Sequence, residues 1–206
     1  MIWKRIVKNR AQFPTTGTYR DWKPALAMEG ERRCVYCCIH EAHFGGPRNY
    51  HVEHYRPQSK FAHLTNSYEN LFYVCSICNS FKGDDWPCEP EEGCYVKAFY
   101  PDPSSVNYGD LLFHDSETGE VRSNSVTGRY LVERLFINRP QMVINRRVLE
   151  LGRQLRDLVS ELEQLNSSGD IPHELSRRAF TFMANSVAAF DSLYRSTPYG
   201  PDDVRR

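Results

Sequence analysis

Cys34-Val-Tyr-Cys37, then Tyr50-His-Val-Glu-His-Tyr-Arg-Pro57, then Tyr68-Glu-Asn-Leu71, then Cys75-Ser-Ile-Cys78-Asn79-Ser-Phe-Lys82: this stretch of the 206-residue chain decides its fold. Two Cys-x-x-Cys pairs are what a tetrahedral structural Zn²⁺ requires, because each pair closes a tight turn that aims two sulfurs at one point. Cys37 and Cys75 enclose 37 residues, more than a simple zinc ribbon needs and enough for a β-hairpin between two knuckles. Zinc at such a site can contribute ~10–16 kcal/mol of folding free energy, more than the core of a small module supplies. Cys34, Cys37, Cys75 and Cys78 are therefore expected to hold structural zinc, and the alternative of four buried cysteines at accidental spacing is much weaker.

With these motifs in view the chain resembles the HNH (ββα-metal) endonuclease family. It is most similar there to the small HNH proteins of bacterial anti-phage defence, those associated with retrons and PtuB of the Septu system. The Cys-x-Tyr-Cys knuckle, the Val-Glu-His-Tyr-Arg-Pro strand, the Tyr-x-Asn-Leu step and Cys-x-x-Cys-Asn-x-x-Lys-Gly-Asp all fall in residues 34–84. A weaker echo continues in Gly128-Arg-Tyr-Leu-Val-Glu-Arg-Leu-Phe-Ile-Asn-Arg139. The resemblance implies an α+β fold, a ββα-metal module on a four-cysteine zinc site.

Hydrolysis of a phosphodiester needs a nucleophile in line, neutralised phosphoryl oxygens and a stabilised leaving oxygen. His54, with a reference pKa of ~6.5, suits proton abstraction from water. Glu53 and the side-chain oxygen of Asn79 are hard donors suited to Mg²⁺ or Mn²⁺. By position the resemblance makes His54 the general base, Glu53 and Asn79 ligands of a catalytic divalent cation, and Asn70 the central Asn that braces the loop aiming the base. Many relatives carry Asp and His where this chain has Glu53 and Asn79, a change that bears on which cation works best. Arg56 and Lys82 flank the site without an obvious acidic partner in sequence, so both are candidates for holding phosphates. Taken singly, a strand His-Glu pair is usually a surface feature and Asn a turn or helix cap. The joint placement between zinc knuckles is what favours a nuclease site. His51 is a partner, an extra ligand or an exposed strand residue, and His40, His43, His63, His114 and His173 are taken as non-catalytic.

Lys+Arg and Asp+Glu number 26 each, so the chain is neutral and does not read as a generic polyanion binder. The average hides patterning: ten acidic residues and one lysine lie between Asp84 and Glu120, and seven arginines against two glutamates between Arg129 and Arg156. No apolar leader or membrane-length run is present, and the thiols fit a reducing cytoplasm. Cys38 abuts a ligand as a bystander; Cys88 and Cys94 stay unassigned.

Four segments follow. Residues 1–30 are helical and aromatic padding around Trp3 and Trp22. Residues 31–86 form the HNH zinc/nuclease module, with a strand at Asn49–Tyr55 and a helix opening at Cys78. Residues 87–126 are acidic and loop-rich, with a hairpin pairing Asp110–His114 and Glu120–Ser123. Residues 127–206 are a helical extension. There Ile144, Val148, Leu151, Leu155, Leu158, Leu162 and Leu165 form a heptad seam. A turn at Ser167–Asp170 and a helix with Asp170 and Pro172 at its start follow. That helix places Leu175, Ala179, Phe182, Phe190 and Tyr194 on one face, and an antiparallel helical hairpin satisfies both seams.

The expected function is metal-dependent cleavage of nucleic acid, DNA in the resemblance, by a nuclease subunit that works with an ATPase partner in defence. The competing function is a zinc-organised module that binds nucleic acid or protein without hydrolysis.

Overall fold

The computed structural model describes residues 3–89, 98–167 and 173–195, with backbone alone for 165–167 and 191–195. The chain divides into two compact units: residues 1–114 with 121–138, and residues 115–120 with 139–206. The boundary at Asn138 falls inside the segment expected to be one helical extension.

The first unit is built around a two-stranded antiparallel sheet. Strand β1 (Tyr50–His54) pairs with β2 (Leu71–Cys75), with Glu53 opposite Phe72 and His54 opposite Leu71. Every residue of β2 is buried, so it reads as a continuous apolar run rather than an alternating one. Helix α1 (Lys23–Glu29) precedes the first knuckle and α2 (Ser76–Lys82) follows β2 directly. Gly83 closes α2 at φ 49°, ψ −132°, a conformation that a side chain would oppose.

The N-terminal residues belong to this core. The Trp3 indole donates to the Tyr36 carbonyl at 2.9 Å, inside the first knuckle. Lys8 donates to the Leu71 carbonyl at 2.7 Å and to Glu29 at 2.8 Å, with its ammonium over the rings of Tyr68 and Phe72. Trp22 is buried against Tyr68.

Two short strands, β3 (Phe113–His114) and β4 (Val121–Arg122), pair antiparallel where the hairpin is expected. Helix α3 (Val126–Arg134) starts at Ser125, whose hydroxyl accepts from the Gly128 amide at 2.9 Å. A Cβ on Gly128 would lie 1.9 Å from the Ser123 hydroxyl, so only glycine fits there. Three more residues of the 128–139 echo find structural work in the same unit. Tyr130 and Arg134, one turn apart on α3, both donate to Asp85. The Asn138 amide pairs with both the N–H and the C=O of Val121 at 2.8 Å, completing the edge of β4.

The second unit holds α4 (Pro140–Ser167) and α5 (His173–Arg195). The described seam residues of α4 are half-buried, except Leu155, while most intervening positions are exposed. On α5 the seam runs through Leu175, Ala179 and Phe182 as expected, then through Ser186 and Ala189. Phe190 departs from it at 43% exposure, because the 3.6-residue period carries position 190 off the face. Arg146 donates to the Gly119 carbonyl at 3.1 Å. The turn residues 168–172, including Asp170 and Pro172, and the side chains of Leu165 and Tyr194 lie outside the described residues.

Candidate active site and metal centre

The four cysteines converge. One sulfur from each of Cys34, Cys37, Cys75 and Cys78 lies within 4.8 Å of all the others, and all four residues are buried. Local structure explains the convergence. The Cys38 amide donates to the Cys34 carbonyl at 2.8 Å and the Cys34 amide to the Ile39 carbonyl at 2.9 Å, which curls the first knuckle. The Val35 amide donates to the Tyr73 carbonyl at 3.1 Å, laying that knuckle against β2. The second knuckle spans the step from β2 into α2. The Cys37 and Cys75 sulfurs are 3.7 Å apart, close to the edge of about 3.8 Å that a tetrahedron with Zn–S bonds of about 2.3 Å requires. Donor type, count and spacing therefore fit a structural metal such as zinc. Burial pushes the Cys34 thiol up, so a cation binding here displaces protons.

A cleft of 460 Å³ opens along β1, lined also by Asn79 of α2 and by Gly83 and Asp84 just past its end. Glu53, His54 and Asn79 all line it. The His54 ring is fixed from two sides. Its Nε2 lies 3.0 Å from the Thr65 carbonyl, and the Tyr19 ring meets it edge-on at 4.9 Å. A carbonyl can only accept, so Nε2 carries the proton and Nδ1 keeps its lone pair. Burial holds the imidazole below its usual range, the Thr65 carbonyl opposing and the Lys82 charge assisting, so it is neutral near neutrality. Of the seven histidines, His54 and the exposed His51 line this cleft.

Glu53 is buried, and its Oε1 forms an ion pair with Lys82 Nζ at 2.5 Å. Burial pushes the Glu53 carboxyl up to about 7, only partly offset by Lys82 and by the Tyr36 hydroxyl. Lys82 is fully buried; it also donates to the His54 carbonyl at 3.2 Å and sits over the Tyr100 ring. The expectation that Lys82 and Arg56 lack acidic partners is thereby corrected. A buried ammonium needs a counter-charge, and Glu53 provides it. Arg56 pairs with Glu89 at 3.1 Å and lines a separate cavity with Tyr55 and Asn70.

Asn70 is buried and bonds the backbone of Arg56 twice: Oδ1 accepts from its N–H at 2.8 Å and Nδ2 donates to its carbonyl at 3.1 Å. The Tyr55 amide adds a bond to the Asn70 carbonyl at 2.9 Å. Together these pin the chain leaving β1 just after His54.

The donor types that remain in the cleft are hard ones. Glu53 and Asn79 supply one carboxylate and one amide to the same cleft, the sparse protein ligation that Mg²⁺ accepts while keeping waters. Sequence reading missed three other contributors, Tyr19, Arg20 and Lys23, which line the cleft from the N-terminal segment. Their sequence separation from β1 hides them. The Thr65 carbonyl was equally invisible, because any residue type offers one. Cys88 donates to the Ala98 carbonyl at 3.2 Å, and Cys94 lies outside the described residues.

Residues 34–85 match the family model described as HNH endonuclease, the stretch that holds both knuckles and the cleft-lining part of β1 and α2. No curated protein and no solved structure matches the chain. No described helix is long and apolar enough to cross a membrane.

Proposed function

We propose that this chain is a metal-dependent HNH endonuclease that hydrolyses phosphodiester bonds of DNA. In this reading β1, β2 and α2 form a ββα-metal module on a zinc-bound four-cysteine site, and α4 and α5 form an antiparallel hairpin. The observation that carries it is the His54 imidazole, locked by the Thr65 carbonyl on Nε2 and lining the same cleft as Glu53 and Asn79.

His54 Nδ1 takes a proton from water, and the hydroxide attacks phosphorus. Thr65 fixes the tautomer and supports the imidazolium that forms. Asn70, by holding Arg56, sets the exit of β1 and so the aim of His54. A divalent cation, Mg²⁺ or Mn²⁺, held by Glu53 and Asn79 would supply charge neutralisation at the phosphoryl oxygens and the leaving 3′-oxygen. Lys82 keeps Glu53 in place through the buried pair. The test is cleavage of supercoiled plasmid in Mg²⁺ or Mn²⁺. His54→Ala is expected to lower the rate by at least about 10²-fold, as for loss of a general base, with metal content and fold retained. Cutting at the wild-type rate would remove His54 from the mechanism.

A second reading, a zinc-organised binding module, draws on the Glu53–Lys82 pair, since a carboxylate already neutralised has less need of a cation. Filter binding that stays strong without divalent metal, with no cleavage of any nucleic acid, would favour it.

The motif resemblance further supports a cytoplasmic role in bacterial anti-phage defence with an ATPase partner. Co-purification from the native host with an ATPase encoded next door tests this.

A further inference from the structure

The cleft beside His54 needs positive charge if a polyanion is to lie in it, and the two cations expected to provide it are committed elsewhere. Lys82 is fully buried on Glu53, and Arg56 pairs with Glu89 in a separate cavity. Among the described residues lining the cleft, Arg20 and Lys23 are the cationic ones apart from the histidines, and both come from the N-terminal segment. Arg20 is exposed, and its guanidinium Nε donates to the Tyr19 hydroxyl at 3.1 Å. Its remaining N–H donors form the planar fork that suits a phosphate. Lys23, in the first turn of α1, donates to the Pro47 carbonyl at 2.7 Å and is half-buried, so its ammonium is held in position rather than swinging free.

The same segment is tied to the general base. The Tyr19 amide donates to Asn66 Oδ1 at 3.0 Å, and Asn66 follows Thr65, whose carbonyl holds His54. The Tyr19 ring lies against that imidazole, and its hydroxyl receives Arg20. His54 and Arg20 are thus connected through Tyr19, while Lys23 is held separately by the Pro47 carbonyl.

We infer that residues 19–23 form the phosphate-gripping wall of the cleft, with Arg20 and Lys23 contacting the nucleic-acid backbone and Tyr19 positioning both Arg20 and His54. This rests on the nuclease reading and assigns to that site the grip that Lys82 and Arg56 were expected to supply. Contacts of this kind fix register without reading sequence, so the grip is sequence-indifferent and salt-sensitive.

The experiment uses the full chain with His54→Ala, so that bound duplex survives, and a fluorescent duplex DNA titrated over a salt series. Adding Arg20→Ala and Lys23→Ala together is expected to weaken binding by at least about tenfold, the loss of one charge-assisted contact or more. It should also flatten the log–log salt slope by about 2, close to one per lost phosphate contact. Arg20→Lys with Lys23→Arg should restore most of the slope, which a merely structural role would not require. In the His54-intact protein the alanine pair should raise KM far more than it lowers kcat. Lys4→Ala, an exposed cation paired with Glu31 outside the cleft, serves as the control for net charge. An unchanged slope and affinity in the alanine pair, while the His54-intact protein still cuts plasmid, would overturn this inference and leave the nuclease reading standing. A wild-type protein that neither binds nor cuts nucleic acid would overturn both.

Discussion

Cys38 follows the second thiolate of the first knuckle at φ 60°, a left-handed conformation that L-residues avoid, while its side chain is buried. Read in sequence it is a bystander to the metal; in the fold it is the residue that lets the knuckle turn back on itself. Two substitutions separate backbone from thiol. Cys38→Gly is expected to change stability by no more than about 1 kcal/mol, relief of the backbone offsetting lost burial, whereas Cys38→Val should cost about 2 kcal/mol. Denaturant midpoints measure both, and metal content should stay the same in each. The four-cysteine cluster was legible because Cys-x-x-Cys spacing is local and its chemistry needs no tertiary knowledge. The Glu53–Lys82 pair was not, since 28 residues lie between its partners and nothing in either neighbourhood announces it. Asn70 sits between these cases: the motif singled it out, but its two bonds to the Arg56 backbone come only from the fold.

At the scale of elements, α3 is held to the segment just after α2 through Asp85. Its carboxylate accepts from the hydroxyls of Tyr100 and Tyr130 and from the Arg134 guanidinium. Burial pushes this carboxyl up, but those donors outweigh it and hold Asp85 below the usual carboxylate range. A depressed carboxylate stabilises the fold fully above its ordinary value of ~3.9, and the contribution is lost as pH falls through the lowered one. Asp85→Asn should therefore cost about 2 kcal/mol at pH 7. The gap between wild type and variant should close towards pH 2, read by urea unfolding at the two pH values. The strand at Tyr50–His54 and the helix from Ser76 were visible in sequence to within a residue or two, because Pro57 and the knuckles bound them. The purpose of the 128–139 echo was not. Tyr130 and Arg134 reach back to Asp85 and Asn138 to Val121, so the pattern looked like a motif without a task.

For the whole molecule, every proposed metal ligand lies in the first unit, and α4 and α5 contain none of them. Chelation of the structural metal, or Cys75→Ser, should unfold the sheet and both knuckles while leaving much of the α4 and α5 helicity. Near-ultraviolet circular dichroism should collapse, with a smaller loss in the far ultraviolet. A single cooperative loss of both signals would show that the units depend on each other for stability. Neutral net charge had argued against broad polyanion affinity, and Arg20 and Lys23 in the cleft lining are the two cations that the proposed local grip would use. Cys78 and Asn79 are neighbours in α2, so the last of the clustered thiols and the proposed cation donor share one peptide bond. In the proposed nuclease, loss of an ion from these thiolates would therefore disturb Asn79 together with Cys78. On the proposed nuclease reading, a freshly made chain would stay inactive until the thiolates are loaded, so metal supply would set when the cleft becomes competent.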